Sequence, residues 1–499
     1  MIQGTGSSVG KSVLVTALCR IFRQEGLNVA PFKAQNMSLN SFVTPDGGEI
    51  GRAQAVQAEA AGREPCVEMN PVLLKPETDN RCQIIVKGKL LGRMAATDYP
   101  ALQTQLWAAI TESLESLRAL YDVIVIEGAG SPAEINLKER DLVNMRVARY
   151  CGARVLLVAD IDRGGIFASL VGTLELLDPE ERALVKAFVV NKFRGDYSLL
   201  KPGLDWLEKR TLVPVAGVIP YYHDIHIAEE DSLSLEKRRA MKEKSDFFLD
   251  IAVIGLPHLA NFDDFDPLER EPGVRLRYIE RDDKLGNPDL IILPGTKSTM
   301  ADLAYLRIQG LDKEIIDMAR RGTPVIGICG GYQILGRVIY DPDHVESMQA
   351  ETSGLALLSV STRFHPVKST HQVTARVMLG RGLLQRAGGL LVEGYEIHMG
   401  ETEHDPMPAP FHTLARSRAP CDGRDGSLST DGNVLGTYLH GLFHNNDFRR
   451  AILNELGARK GSRLVAVSEF SNANQYDRLA FLVRSSLDME LIFRLLKQG

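Results

Sequence analysis

From the N-terminus to Pro220, short aliphatic and β-branched runs alternate with helix-length stretches of mixed polarity. Val123–Ile126, Val155–Val158 and Phe188–Val190 are apolar at every position and too short for helices. That pattern predicts strands buried on both faces, a parallel sheet wrapped by helices. Residues 229–247 are dense in charge and lack apolar periodicity, and they predict a linker. A second series of the same kind follows, with strands expected at Ile251–Leu256, Leu290–Leu293 and Pro324–Ile328. Helical spacing returns in Phe448–Leu456 and Tyr476–Leu496. The expectation is an α/β protein with a first domain over residues 1–228, a linker over 229–247, a second α/β domain over 248–446 and a helical segment over 447–499.

Composition narrows the function classes. A chain of 499 residues exceeds what one core organises, which fits two domains. Its net charge of -6 argues against a nucleic-acid partner, which would select a basic face. No apolar run approaches the roughly 20 residues needed to span a bilayer, and no leader-like segment opens the chain, so no membrane partner is expected. Cys19, Cys66, Cys82, Cys151, Cys329 and Cys421 form no CxxC pair, as in reduced, cytoplasmic proteins. Small-molecule substrates fit this balance, and an oligomer is compatible with it.

Candidate chemistry begins at Gly4-Thr5-Gly6-Ser7-Ser8-Val9-Gly10-Lys11-Ser12, between a strand stub and the helical pattern Val13–Phe22. Met1 stands just before it, so the first strand is short or extends upstream of this start. Glycines let backbone amides turn onto phosphate oxygens, a lysine neutralises their charge, and a serine hydroxyl can hold Mg²⁺. The pattern is a variant of the P-loop, with Thr5 in the first glycine position and Gly4 one residue earlier, and it resembles the loop of dethiobiotin-synthetase-like NTPases. Gly4, Thr5, Gly6, Gly10, Lys11 and Ser12 are therefore the expected ATP-binding residues. Tyr121–Gly130 ends a buried strand in a carboxylate, which makes Glu127 the expected Mg²⁺ partner of Ser12. Asn191 and Lys192 close another strand where the nucleotide base is often met. Lys33 reads as a second phosphate or carboxylate contact, or as a solvated lysine. Asp160, Asp162 and Arg163 lie at a strand's carboxyl end and read equally as crevice groups and as loop charges.

Gly327-Ile328-Cys329-Gly330-Gly331 has a strand before it and a helical pattern after it, the cysteine version of a nucleophile elbow. A helix N-terminus stabilises a thiolate through its dipole and free amides. His440, in the glycine-flanked segment Gly436–Phe443, is the expected general base. The turn Pro294–Thr299 reads as an oxyanion donor, Gly295 joining Gly330, or as a tight phosphate-binding turn.

Longer strings then carry a resemblance. Pro31–Asn40 (PFKAQNMSLN), Gly48–Gln54 (GEIGRAQ), Asn70–Pro76 (NPVLLKP), Gly128–Leu137 (GAGSPAEINL) and Gly394–His398 (GYEIH) are similar, nearly end to end, to the cobyric acid synthase family. The resemblance implies a dethiobiotin-synthetase-like P-loop domain fused to a class I glutaminase domain. It implies ATP- and glutamine-dependent amidation of the b, d, e and g carboxylates of adenosylcobyrinic acid a,c-diamide. It implies ATP and Mg²⁺ as cofactors, no permanently bound prosthetic group, and corrinoid, glutamine and ATP as the small-molecule partners. Gln35, Asn36, Asn40, Arg52, Gln54, Asn70 and Lys75 become polar candidates for the corrinoid, although such groups serve equally to satisfy buried backbone. The family's use of released ammonia implies an internal passage or closed interface.

One position departs from the glutaminase pattern. The acid often found two residues after the catalytic histidine is Leu442 here. The expectation is a Cys–His dyad, with Glu396 as the candidate to orient His440 and with glutaminase activity that is slow or dependent on a loaded synthetase domain. The competing readings are a cobyrinic acid a,c-diamide synthase and, from another class, a ParA-like regulatory ATPase with an inactive glutaminase module.

Overall fold

The computed structural model describes residues 1–78, 81–95, 99–222, 224, 225, 227, 247–403, 408–461 and 472–497. The expected linker lies outside the described residues except for Phe247. The chain forms two compact units, and both are α/β.

In the first unit the apolar runs pair as parallel strands. Ile2–Gly4 lies beside Val155–Asp160, which continues to Val185–Phe193 and Val215–Pro220. On the other side a bridge from Ile2 to Glu127 joins the pair Val123–Ile126 and Val29–Phe32. Every residue of Val155–Asp160 is buried, which explains a run without alternation. The helix Lys11–Gln24 turns Leu14, Leu18 and Ile21 onto Val125, Leu156 and Val189. Ile166–Leu176 and Tyr197–Thr211 cover Leu157, Phe188 and Val190. A smaller sheet adds Gln35–Met37, Val72–Thr78, Arg81–Val86 and Lys89–Ala95.

The second unit repeats the theme. Val274–Ile279, Leu249–Ile254, Leu290–Leu293, Val325–Ile328 and Val434–Thr437 are parallel neighbours in that order, with Ser427–Leu428 antiparallel at the edge. A mixed sheet built on the long antiparallel pair Ser361–Val377 and Leu391–Glu403 packs into the same core.

The units depart from the expected contiguous domains at two places. The expected C-terminal helical segment is divided: Asn446–Arg459 buries Phe448, Ile452 and Leu456 in the second core, whereas Asn472–Ser486 and Met489–Lys497 bury Leu479, Val483 and Ile492 in the first. Helical periodicity marks an apolar face but not the core that receives it. Residues 39–48 belong to the second unit although the chain on both sides of them belongs to the first. Val43 explains the placement, because it is buried against Tyr395 and Ile397.

Leu479 is fully buried among residues of the first core. Leu479→Ala is expected to destabilise that unit by about 2–5 kcal/mol, since the lost transfer energy and the cavity add. A lower midpoint in the unfolding transition of the first unit, at unchanged slope, is the readout.

Candidate active site

The phosphate loop leaves the carboxyl end of Ile2–Gly4, in the crevice where open parallel sheets bind ligands. Ser8 and Gly10 have φ of +57° and +101°, which turns the loop back on itself. A Cβ at Gly10 would lie 2.1 Å from Asn191 Nδ2, so glycine is required by space as well as by backbone angle. Lys11 Nζ donates to Gly6 O at 2.8 Å and to Gly130 O at 3.0 Å, spanning the loop and the turn after Glu127.

Glu127 is the centre of this site. Ser12 Oγ donates to its Oε1 at 2.9 Å, Lys33 Nζ to the same oxygen at 2.9 Å, and Gln57 Nε2 to Oε2 at 2.5 Å. Burial alone would raise its proton affinity, but the Lys33 charge and these hydrogen bonds hold the carboxyl below its usual range. Lys33 is buried with it, so the reading of a solvated surface lysine does not apply. Leaving either partner of such a buried pair alone costs about 3–5 kcal/mol. Gln57 was not among the sequence candidates; a helical glutamine in an alanine-rich segment carries no signal of its own.

Asn191 and Lys192 brace the loop. Asn191 Nδ2 donates to Val9 O at 2.8 Å, and Lys192 Nζ donates to Ser8 O at 2.7 Å and to Asp160 Oδ2 at 2.6 Å. Asp160 is buried, whereas Asp162 and Arg163 are exposed and Asp162 pairs with Arg194 at 3.0 Å. Among the corrinoid candidates, Asn36 Nδ2 donates to Gln54 Oε1 at 2.9 Å, Lys75 pairs with Glu49 at 2.8 Å, and Gln35 accepts from Tyr99 Oη. Arg52 is buried at the start of the helix Arg52–Ala61. Asn70 spans Gly51, Lys33 and Val72 backbone groups, which is a structural role. Asn40 lies in the second unit, where its Oδ1 accepts from Phe262 N–H at 3.2 Å. A cavity of 340 Å³ lined by Val123, Leu156, Ile492 and Leu495 shares no residue with the phosphate loop.

In the second unit Cys329 follows Val325–Ile328 with φ +51° and ψ -108°, the strained geometry of a nucleophile elbow, and starts the helix Gly330–Leu335. His440 follows the neighbouring strand Val434–Thr437. Its Nδ1 lies 2.7 Å from Asp264 Oδ2, and Asp264 Oδ1 accepts from Gly441 N–H at 2.8 Å. Among the described residues Nε2 has no hydrogen-bond partner of normal geometry; the Cys329 sulfur is the group that acts on it. Burial works against an imidazolium here, but the Asp264 carboxylate and then Cys329 overcome it and lift His440 from 6.5 to about 10.

The expected Cys329–His440 pair is therefore corrected in one respect: the carboxylate that meets His440 is that of Asp264. Leu442 is buried in the apolar core, and the acid comes from a turn 176 residues before the histidine. Glu396 does not orient His440; it pairs with Arg416 at 2.8 Å and accepts from Ser369 at 3.3 Å. The missed signal is Asn261-Phe262-Asp263-Asp264-Phe265-Asp266, in which acids sit among phenylalanines and cannot all be solvated. Slow activity through a poorly held base does not follow from this geometry.

The turn after Leu290–Leu293 packs beside both His440 and Gly330. A Cβ on Gly295 would come within 2.8 Å of His440 Cε1, and one on Gly330 within 3.1 Å of Thr296 N. Hydrogen bonds from Ala260 N–H to Gly295 O and from Lys297 N–H to His258 O flank the Leu259–Thr296 bridge, so the Thr296 N–H points away from that pairing.

Residues 1–235 match the CobQ/CobB/MinD/ParA nucleotide binding domain and residues 250–448 the CobB/CobQ-like glutamine amidotransferase domain. Over 499 aligned residues the chain is 52% identical to the cobyric acid synthase of Dehalococcoides mccartyi strain CBDB1, covering 100% of this chain and 99% of that protein. The chain belongs to the cobyric acid synthase family. Cobyric acid synthases of Sorangium cellulosum strain So ce56, at 54% identity over 99% of this chain and 98% of theirs, and of Caldanaerobacter subterraneus subsp. tengcongensis, at 49% over 100% and 98%, show the same end-to-end similarity. As a family member it is a glutamine-dependent amidoligase of cobalamin biosynthesis, and neither competing reading is favoured. Among the described residues no helix is long and apolar enough to cross a membrane.

Asp264→Asn keeps the shape but removes the charge that holds His440, and is expected to lower glutaminase kcat by about two to four orders of magnitude. Glu396→Gln is expected to change it far less, and amidation from added ammonium is expected to survive in both. Steady-state glutamine hydrolysis by the two variants is the comparison.

Proposed function

We propose that this enzyme amidates the b, d, e and g carboxylates of adenosylcobyrinic acid a,c-diamide, using ATP to activate each carboxylate and glutamine as the nitrogen source. The observation that carries this reading is a complete Cys329–His440–Asp264 triad on the same chain as a phosphate loop with a buried carboxylate at its base. A carboxylate is a poor electrophile, so transfer of the terminal phosphoryl group of ATP gives an acyl phosphate whose phosphate can leave. Gly4, Thr5, Gly6 and Gly10 supply backbone to the phosphates, and Lys11, already spanning the loop and Gly130, adds positive charge there. Asn191 and Lys192 hold the loop in shape.

The donor set suits Mg²⁺. Ser12 Oγ and Glu127 converge, and no cluster of three or more His, Cys, Asp or Glu that could hold a metal alone occurs among the described residues. Mg²⁺ commonly takes one or two protein ligands and completes its shell with phosphates and water. When bound by Ser12 and Glu127 the ion would neutralise phosphate charge; Lys33 keeps Glu127 ionised for that role.

On the glutaminase side the Cys329 thiolate attacks the glutamine amide carbon, and the Gly330 N–H and the Gly295–Thr296 turn receive the oxyanion. His440 gives its proton to the departing nitrogen, leaving a thioester and ammonia. Water, deprotonated by His440, then releases glutamate. Ammonia displaces phosphate from the acyl phosphate and loses a proton to give the amide. For the corrinoid, Gln54 Nε2 is buried without a partner among the described residues, a donor left for a ligand in the region of Gln35, Asn36, Arg52 and Lys75. Six free cysteines fit a cytoplasmic setting.

Cys329→Ser is expected to abolish glutamine-dependent amidation and retain ammonium-dependent amidation; loss of both would sink the two-site reading. Lys11→Ala is expected to remove ATP turnover while glutamine hydrolysis persists. Mass spectrometry of the corrinoid should show a ladder in which OH is replaced by NH₂ once per step, ending after the b, d, e and g positions. A product stopping after one replacement would contradict the proposed substrate range.

A further inference from the structure

The glutaminase triad leans on residues 39–48, a segment that enters from Ser38 and returns at Glu49, both in the ATP-binding unit. Two contacts of this segment bear on the triad. At the first, Ser41 N–H donates to Asn261 Oδ1 at 3.0 Å and Phe262 N–H donates to Asn40 Oδ1 at 3.2 Å, a reciprocal pair between buried asparagines. Asn261 has φ +54° and starts the turn Phe262–Phe265, whose Asp264 holds His440. At the second, the Phe42 ring tilts onto Tyr395 with centroids 6.1 Å apart, and Tyr395 lies flat on the His440 ring at 5.1 Å and 14°. Val43 completes that patch with Tyr395 and Ile397, and the carbonyl of Ile397 lies 3.5 Å from Cys329 Sγ. The far end is pinned by Thr370 Oγ1 on Gly47 O at 2.7 Å and by Gln372 on Val43 O.

One short segment thus backs the turn that carries the acid and the ring that backs the base. Its chain neighbours Gln35 and Asn36 on one side and Arg52 and Gln54 on the other are the polar candidates for the corrinoid. We propose that residues 39–48 are a positioning segment, through which occupancy of the amidation site sets the geometry of Cys329, His440 and Asp264 and hence the rate of glutamine hydrolysis. Phe42 acts here through Tyr395. The inference rests on the corrinoid reading above. It gives a physical origin for glutaminase activity tied to a loaded synthetase, in place of a missing acid. Such coupling avoids releasing ammonia when no acyl phosphate awaits it.

The test uses full-length protein, with glutamine hydrolysis measured with and without ATP plus adenosylcobyrinic acid a,c-diamide, and ammonium-dependent amidation measured in parallel. The wild type is expected to hydrolyse glutamine faster when both are present. Phe42→Ala is expected to lose that acceleration and about tenfold in glutaminase kcat, with KM for glutamine and ammonium-dependent amidation unchanged. Phe42→Tyr, which restores an aromatic ring against Tyr395, is expected to recover both. Phe42→Ala that remains accelerated by ATP and corrinoid would overturn the proposal, as would loss of ammonium-dependent amidation in both variants, which would mean general support of the fold. A wild type whose hydrolysis ignores ATP and corrinoid overturns the proposal and leaves the amidation reading intact; one that amidates with neither nitrogen source overturns both.

Discussion

Charge taken out of water has to be paired, and Glu127 shows how far that constraint organises this protein. Its carboxylate is buried, so its two oxygens have to collect Lys33, Gln57 and Ser12. Those partners come from a strand end, a helix and the phosphate loop, and bringing them together sets where the loop stands relative to the next strand. The effective cost of burying an ion is several kcal/mol, more than a surface contact returns. Asp264 repeats the arrangement in the second unit, meeting His440 through one oxygen and the Gly441 amide through the other. In each case the pairing that makes the burial tolerable also orients the group that does the chemistry.

Both units solve the placement problem with the same edge of the same kind of sheet. The phosphate loop, Glu127 and Asp160 stand at the carboxyl ends of neighbouring parallel strands in one unit, and Cys329, His440 and the Gly295 turn do so in the other. Strand order then decides which loops are neighbours. Val325–Ile328 lies between Leu290–Leu293 and Val434–Thr437, which brings Cys329 between the Gly295 turn and His440 without any long-range loop having to find them.

How much of this was legible in the sequence depended on whether the signal was local. Buried strands and the two elbows are local patterns, so Lys11, Ser12, Glu127, Cys329 and His440 stand out in the sequence itself. Asp264 does not, because its partner is distant in sequence and nothing near it announces catalysis; two residues beyond His440 stands Leu442, a core residue. Gln57 was missed for the same cause. Asn40 was assigned with its neighbours, although polarity in an extended string does not say which unit a segment joins. The helical tail erred similarly: spacing marks an apolar stripe, but Leu453 and Leu479 serve different cores.

The triad's acid also changes what the resting histidine is. With His440 lifted to about 10 by Asp264 and Cys329 against the penalty of burial, its charged form is favoured throughout the neutral range. A folded-state value above the ordinary 6.5 means that the pairing stabilises the folded unit fully below 6.5 and that this contribution is lost as pH rises through about 10. The proton that the departing amide nitrogen needs would then come from the ring that Asp264 holds. A buried ring clamped by Asp264 on its edge and by Tyr395 on its face is rigid where it is held, and its productive position depends on whatever positions those two clamps.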